Sequence, residues 1–430
     1  VLIISGADLV WTGAAEIPGG IVRCADGRVL DDDAVADGGS GEVLDATGCV
    51  VTPGLVNAHH HLLQTAFRTL PGTRGVPMRE WLPRMAAAYA AVGVDAELTH
   101  AAASVGLAES LLCGVTTVAD HHLTWPAGDG VDLALAVADA AAELGARLVF
   151  VRGSARDDPE QAASSADAIA TALGGGDSGM IQVAVGPAGV HSDSERTFEL
   201  LGEVAARHGL RRRTQANEQV DVELAATRYG KRPLELLAEW GWLEPDVTIA
   251  HLCGVTPEEI AAVAAAGASV THAPGCDVPM GWGVAPAAML ADAGIAVGLG
   301  TSGGGSNDAG HLLADARLAL QVAPIVGRPV AAREVLGWAT AGSAAGLGRP
   351  ELGVLTPGSA ADLACWDVTG VADAGGADPL AGLLWRSPGR RPRHVVVAGR
   401  VVVRDGELVG RPEREVAAAL ATLLGSRSAG

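Results

Sequence analysis

Residues 51–61, VTPGLVNAHHH, set the reading of this chain. A short β-rich run ends in three consecutive histidines, and residues i and i+2 of a strand share a face. His59 and His61 therefore project together, with the H-x-H spacing of metal ligands. Working outward from this run, similar segments recur as TTVADHH, RLVFVRG, MIQVAVGP, GLRRRTQAN, DVTIAHL, ASVTHAP and IAVGLGTS, which with VTPGLVNA makes eight. Between them lie Ala/Leu/Glu-rich helical patterns such as DAELTHAAASVGLAESLLCG, VDLALAVADAAAELG, SERTFELLGEVAARHG and TPEEIAAVAAAGA. Ser194 and Thr256 precede acidic first turns, and Gly145, Gly209 and Gly267 follow last turns, as helix ends require. Eight such alternations over about 250 residues predict an α/β fold, a (β/α)8 TIM barrel more than a doubly wound sheet.

The two ends of the chain differ from this middle. Residues 1–52 and 351–412 are short strands and Gly-rich turns, with Asp26-Gly27 and Asp405-Gly406 as hairpin signals. They predict one small β-sandwich built from both termini, beside a barrel over 53–350. Residues 413–430 predict a C-terminal helix and tail, packed on the surface or at a subunit contact. The stretch 31–42, DDDAVADGGSGE, reads as a solvated loop.

A net charge of −20 argues against nucleic-acid or anionic-membrane partners, because such a surface repels phosphate. No apolar run reaches the roughly 18 residues of a membrane span. The opening VLIISGADLVW reads as a strand, not a signal peptide, so a cytoplasmic protein is expected. Cys24, Cys49, Cys113, Cys253, Cys276 and Cys365 are widely spaced, as packed thiols in a reducing compartment are. Lys231 is the only lysine, which removes lysine-bridged metal pairs and Schiff-base chemistry from most of the chain.

In a parallel barrel the C-terminal strand ends line the active site. Those ends carry His59, His60 and His61, then Asp120, His121 and His122, with His191 soon after the fourth. The later strands add Arg213, Gln215 and Glu218, then His251, His272 and Ser302. Seven of the twelve histidines end barrel strands, and a set gathered on one rim marks a pocket. His100, His208, His311 and His394 fall elsewhere and read as structural. An ion on His59 and His61 would make water a nucleophile near neutral pH, with Glu218 as proton shuttle to a leaving amine.

These motifs, with AHLCG, GLGTSGGGSND and GVLTPGSAADL, resemble the amidohydrolase superfamily over nearly the whole chain. More narrowly the chain is similar to aminohydrolases of N-heterocycles: guanine, 8-oxoguanine, cytosine and pterin deaminases and triazine hydrolases. HHHLLQTAFR and ADHHLTWPAG are closest in style to the 8-oxoguanine group. The resemblance implies metal ligands at His59 and His61, a proton shuttle at Glu218 and a water- or carbonyl-steadying role for His251. It also implies a histidine ligand where Gln215 stands, and a metal-binding, proton-accepting aspartate where Ser302 stands. Some triazine-type relatives are similar in carrying a hydroxyl residue on strand eight. Both are weak neutral oxygen ligands for zinc, and Arg213 should add positive charge on the same face.

Two cofactor readings therefore stand side by side: one divalent ion (zinc or iron) on His59, His61 and Gln215, and a metal-free pocket. For the substrate, the resemblance points to Gln64 and Arg68, with Trp81 in the following loop as a stacking surface. His122, Arg213 and Asn307 complete the expected substrate-facing set, with Asp277 and Asp308 near the rim. The expected activity is hydrolysis of a small nitrogen heterocycle, by deamination or related C–N cleavage, with Glu218, His251 and Ser302 catalytic. Alternatives are a metal-independent cyclisation, addition/elimination or isomerisation, and an inactive binding protein. The partner expected is a small heterocyclic substrate, with a homo-oligomer by analogy.

Overall fold

The computed structural model describes residues 1–31, 41–126, 130–174, 179–386 and 388–428, so most of the expected loop at 31–42 lies outside the described residues. Eight parallel strand positions curl into one sheet that closes on itself as a distorted TIM barrel. In chain order they are Leu55–His61, Val115–His122, Arg147–Ser154, Ile181–Pro187, Arg211–Ala216, Val247–His251, Ser269–His272 and an interrupted eighth. The eighth is split into Val297–Leu299, which pairs with the seventh strand, and Ser302–Gly303, which pairs with His60 and His61. Strand eight crowds strand one at this break: a Cβ on Gly300 would lie 2.7 Å from the carbonyl oxygen of His59. The helices between strands end as their sequence requires. Thr256 and Glu259 form a capping box, and Gly145, Gly209 and Gly267 are left-handed C-caps.

VTPGLVNAHHH is two strands rather than one. Cys49–Pro53 pairs antiparallel with Leu363–Asp367 in an outer seven-stranded sheet, and Leu55–His61 enters the barrel. The switch falls at Gly54, where a Cβ would lie 2.3 Å from Thr116 Oγ1. A second outer sheet holds Leu2–Ser5, Val22–Ala25, Arg28–Val29 and Glu42–Asp45. Ile4, Val22 and Leu44 of this sheet share a core with Val51, Leu363 and Val396 of the other. Asp26-Gly27 and Asp405-Gly406 both turn through positive φ, as tight hairpins need. Trp366 docks the outer sheet on the barrel: it is fully buried, donates to Thr52 Oγ1 at 2.9 Å, and packs over Gly114.

Residues Met78–Val92, expected as a loop around Trp81, form a helix. Its Gly/Pro-rich approach hides that in the sequence, as does Pro83, which lies inside the helix. The helix Glu413–Ser428 packs on Ala96–Leu112 and buries Val416 and Leu420. No helix among the described residues is long and apolar enough to cross a membrane.

Candidate active site

A chamber of about 640 Å³ opens at the C-terminal mouth of the barrel. Its floor is polar, with His61, His121, Gln215, Glu218, His251 and Ser302 from five strand ends. One wall is apolar: Trp81 stands edge-on to Trp282 at 5.4 Å, with Met85 and Tyr89 beside them. Trp81 Nε1 donates to Gly305 O at 2.9 Å, and Gln64 Oε1 accepts from Gly305 N at 3.1 Å. These two bonds fix the loop after strand eight against the wall.

His251 organises the floor. It ends strand six in a left-handed conformation (φ 75°), which turns its ring inward instead of along the strand. Its Nδ1 faces Asp277 Oδ1 at 2.9 Å, and its Nε2 faces Gln215 Oε1 at 3.1 Å and Glu218 Oε1 at 3.6 Å. Acceptors at both nitrogens make both donors, which defines an imidazolium. Burial opposes that charge, but Asp277 and Glu218 outweigh it and raise the His251 pKa to about 9. Burial also raises the Glu218 carboxyl, with His251 pulling it down and Asp277 pushing it up.

The first two strands present neutral imidazoles. His59 lies beneath the floor, its ring 4.8 Å from that of His61 and 5.2 Å from that of His251, with Nε2 unpartnered. Burial, then His61 and His251, hold its pKa well below the usual value. His61 donates Nδ1–H to His121 O at 2.7 Å, which leaves its Nε2 as a lone pair. Burial lowers His61 to about 4 and His121 to about 3. His60 points the other way and bonds Thr301 Oγ1 at 2.9 Å, which pins the break in strand eight. Ser302 follows that break with φ 54°.

The structure gathers Gln64, Trp81, His122, Gln215, Glu218, His251, Ser302 and His61 around the chamber. Three expected substrate-facing residues do not line it. Arg68 turns to Glu109 in an ion pair, Arg213 is buried with its guanidinium on Ala58 O, and Asn307 donates to Thr301 O and Asp315 Oδ2. His122 is walled by Trp125 and Phe150, with Nδ1 3.7 Å from Asp120 Oδ2. The partner that sequence reasoning undervalued is Asp277, placed near the rim but not paired with His251. Its signal is its position just beyond a strand end, in THAPGCD. Cys276 also lines the chamber, and burial, then Asp277, push its thiol well above its usual value, so it is no ready nucleophile.

A polar chamber at the strand ends of a closed parallel barrel stands where barrel enzymes carry their chemistry. The chain belongs to the amidohydrolase family, whose model matches residues 50–402. It is 35% identical over 387 residues to the 8-oxoguanine deaminase of Pseudomonas aeruginosa, covering 85% of each chain. It is 32% identical over 436 residues to a 5-methylthioadenosine/S-adenosylhomocysteine deaminase of Halobacterium salinarum, covering 96% of this chain and 98% of the other. Atrazine chlorohydrolase from Arthrobacter aurescens TC1, solved with zinc, superposes with a TM-score of 0.91 at 33% identity, covering 99% of this chain and all of that one. The protein is a hydrolase of this superfamily, with an atypical, degenerate metal site.

The family implies a divalent ion, and the donors at its usual positions do not fit one. Gln215 Oε1 is bonded to His251 Nε2 at 3.1 Å and is a neutral amide oxygen, a weak ligand for such an ion. Ser302 supplies a neutral hydroxyl where a carboxylate would be needed. Among the described residues, one trio of His, Cys or carboxylate groups has donor atoms all within 4.8 Å of one another: His251, Cys276 and Asp277. That trio is a potential but unusual divalent-ion site, and it includes neither strand-one histidine.

Proposed function

We propose that the enzyme hydrolyses a C–N bond of a small nitrogen heterocycle, releasing an exocyclic amine as ammonia. The observation that carries this is a buried carboxylate, Glu218, 3.6 Å from His251 Nε2 on the floor of a chamber with an aromatic wall. The named activities of the relatives, deamination of 8-oxoguanine and of adenosine derivatives, support the same class. Glu218 takes a proton from water as the water oxygen bonds to the amine-bearing ring carbon. The C=N electron pair moves to the adjacent ring nitrogen, which receives that proton from Glu218. The new hydroxyl then returns a proton to Glu218, the C–N bond breaks with its pair on the amine, and Glu218 protonates that amine, which departs as ammonia. The carbon keeps a carbonyl. The positive charge of His251, beside Glu218, offsets the charge on the oxygen while it develops. Trp81 stacks on the flat ring, Gln64 and His122 orient it, and Ser302 completes the floor.

We place this chemistry in residues 53–350, with 1–52 and 351–412 as a supporting sandwich and 413–430 as a terminal helix. Buried thiols at Cys24, Cys49, Cys113, Cys276 and Cys365 suit a cytoplasmic setting, and a homo-oligomer is the expected assembly. The test is an ammonia-release screen over aminopurines, pterins, aminopyrimidines and triazines, with Glu218→Gln as control. Turnover should fall about 10²–10⁴-fold in the variant. Absence of any hydrolysis product, or an unimpaired Glu218→Gln enzyme, would refute the reading.

A further inference from the structure

The metal positions of this barrel have not simply decayed, because their replacements make a specific bond. Gln215 and His251 are 36 residues apart and meet at 3.1 Å, both buried. The Gln215 amide oxygen accepts this bond, and as a neutral oxygen it is a weaker metal ligand than a histidine would be. Asp277 Oδ1 fixes the opposite nitrogen of the ring at 2.9 Å. Gln215, His251 and Asp277 thus form a continuous chain across strands five and six and the segment after strand seven. The chain takes up both ring N–H groups of His251 and holds Nε2 3.6 Å from the Glu218 carboxylate. Arg213 adds a buried guanidinium bonded to the carbonyl of Ala58, the residue before His59, with Nη1 unpartnered. Its positive charge bears on His59 and His121, where a divalent ion would add to it.

We infer that the Gln215–His251–Asp277 chain replaces the family's divalent ion: it fixes the His251 imidazolium as the positive group beside Glu218, and His61 meets substrate or water instead of metal. The free lone pair on His61 Nε2, on the chamber floor, is the polar atom left for that ligand, with His59 packed behind it. Gln215 is a positioning residue in this scheme, since it acts through His251. The inference rests on the hydrolytic reading only for the identity of the reaction. Its statement about metal stands or falls separately.

The test uses the full chain expressed in medium supplemented with zinc, iron, manganese and cobalt, with bound metal measured by inductively coupled plasma mass spectrometry. Wild-type protein should carry far less than one ion per chain, and ammonia release should be unchanged by a chelator. Gln215→His combined with Ser302→Asp restores the family's donor types and should bind one ion per chain, which shows that the measurement can detect a filled site. One-to-one metal in the wild type, lost in His61→Ala, would overturn the inference. So would metal that survives His61→Ala and is lost in Cys276→Ala, because it would place an ion on the trio containing Asp277 and break the chain. If no heterocycle releases ammonia while the protein is metal-free, the hydrolytic reading fails and the metal inference survives.

Discussion

Replacing Asp277 by asparagine tests the organisation of the floor most directly, because it keeps the shape and removes one charge. Asp277 Oδ1 and His251 Nδ1 are 2.9 Å apart, and both side chains are fully buried. A hydrogen bond to a charged group contributes about 1.5–3 kcal/mol net. Removing it from the transition state corresponds to a loss of about 10- to 150-fold in kcat/KM. The pH profile adds a readout that simple loss of packing would not move. Activity that needs protonated His251 should fall as pH rises through about 9 in the wild type. In Asp277→Asn that alkaline limb should shift to lower pH, because the largest favourable influence on the ring is gone. Stability follows the same sign. A folded pKa raised from 6.5 to about 9 stabilises fully below about pH 6.5, and the contribution is lost as pH rises through about 9. It is worth about 3 kcal/mol at its maximum, since each pKa unit is about 1.4 kcal/mol. Steady-state ammonia release between about pH 5 and about pH 11 gives the profile. An alkaline limb in its wild-type place, with kcat/KM unchanged, would refute the argument that Asp277 holds His251 charged.

Two further outcomes concern stability. Burial lowers His60, His61, His191 and His272 to about 4 and His121 to about 3. The unfolded chain binds protons at these sites first, so stability should fall as pH drops below about 6.5, by about 2 kcal/mol per histidine at about pH 5. Urea unfolding at neutral and mildly acidic pH measures this, and equal stabilities would contradict it. Trp366→Ala should cost about 3–5 kcal/mol through the cavity it leaves, with Thr52 losing its donor. A melting temperature unchanged by that substitution would mean that the outer sheet does not brace the barrel through this residue.

The barrel was readable because its signals are local and repeated. Each β-rich run is followed by a helical run with caps such as Thr256 or Gly209, and periodicity places each residue at a strand end without knowledge of its neighbours. The division at Gly54 was not readable, because both halves of VTPGLVNAHHH are strand-like. Only the approach of Thr116 shows why the chain must bend there. The helix carrying Trp81 was masked by the Gly/Pro-rich segment before it. Arg68 and Asn307 illustrate a different limit. Position along the chain brings both near the rim, but Glu109, which engages Arg68, lies on a helix 41 residues away, and Asp315, only 8 residues past Asn307, reaches it by the turn of its helix.

The same limit governs the floor of the chamber, and there it changes the chemistry. Read by position, Gln215 and Ser302 are losses: a ligand and a base removed from a familiar set. Read by contact, Gln215 is bonded to a retained residue, His251, whose other nitrogen is held by an aspartate that the positional scheme left aside. A site drifting toward inactivity would have no physical reason to keep a buried carboxylate beside a buried imidazolium, because burial opposes both charges. Glu218 and His251 keep that arrangement at 3.6 Å, with Asp277 on the far side. The energy needed to hold these groups out of water is offset only by their mutual bonds, so the three must act, and be tested, as one unit.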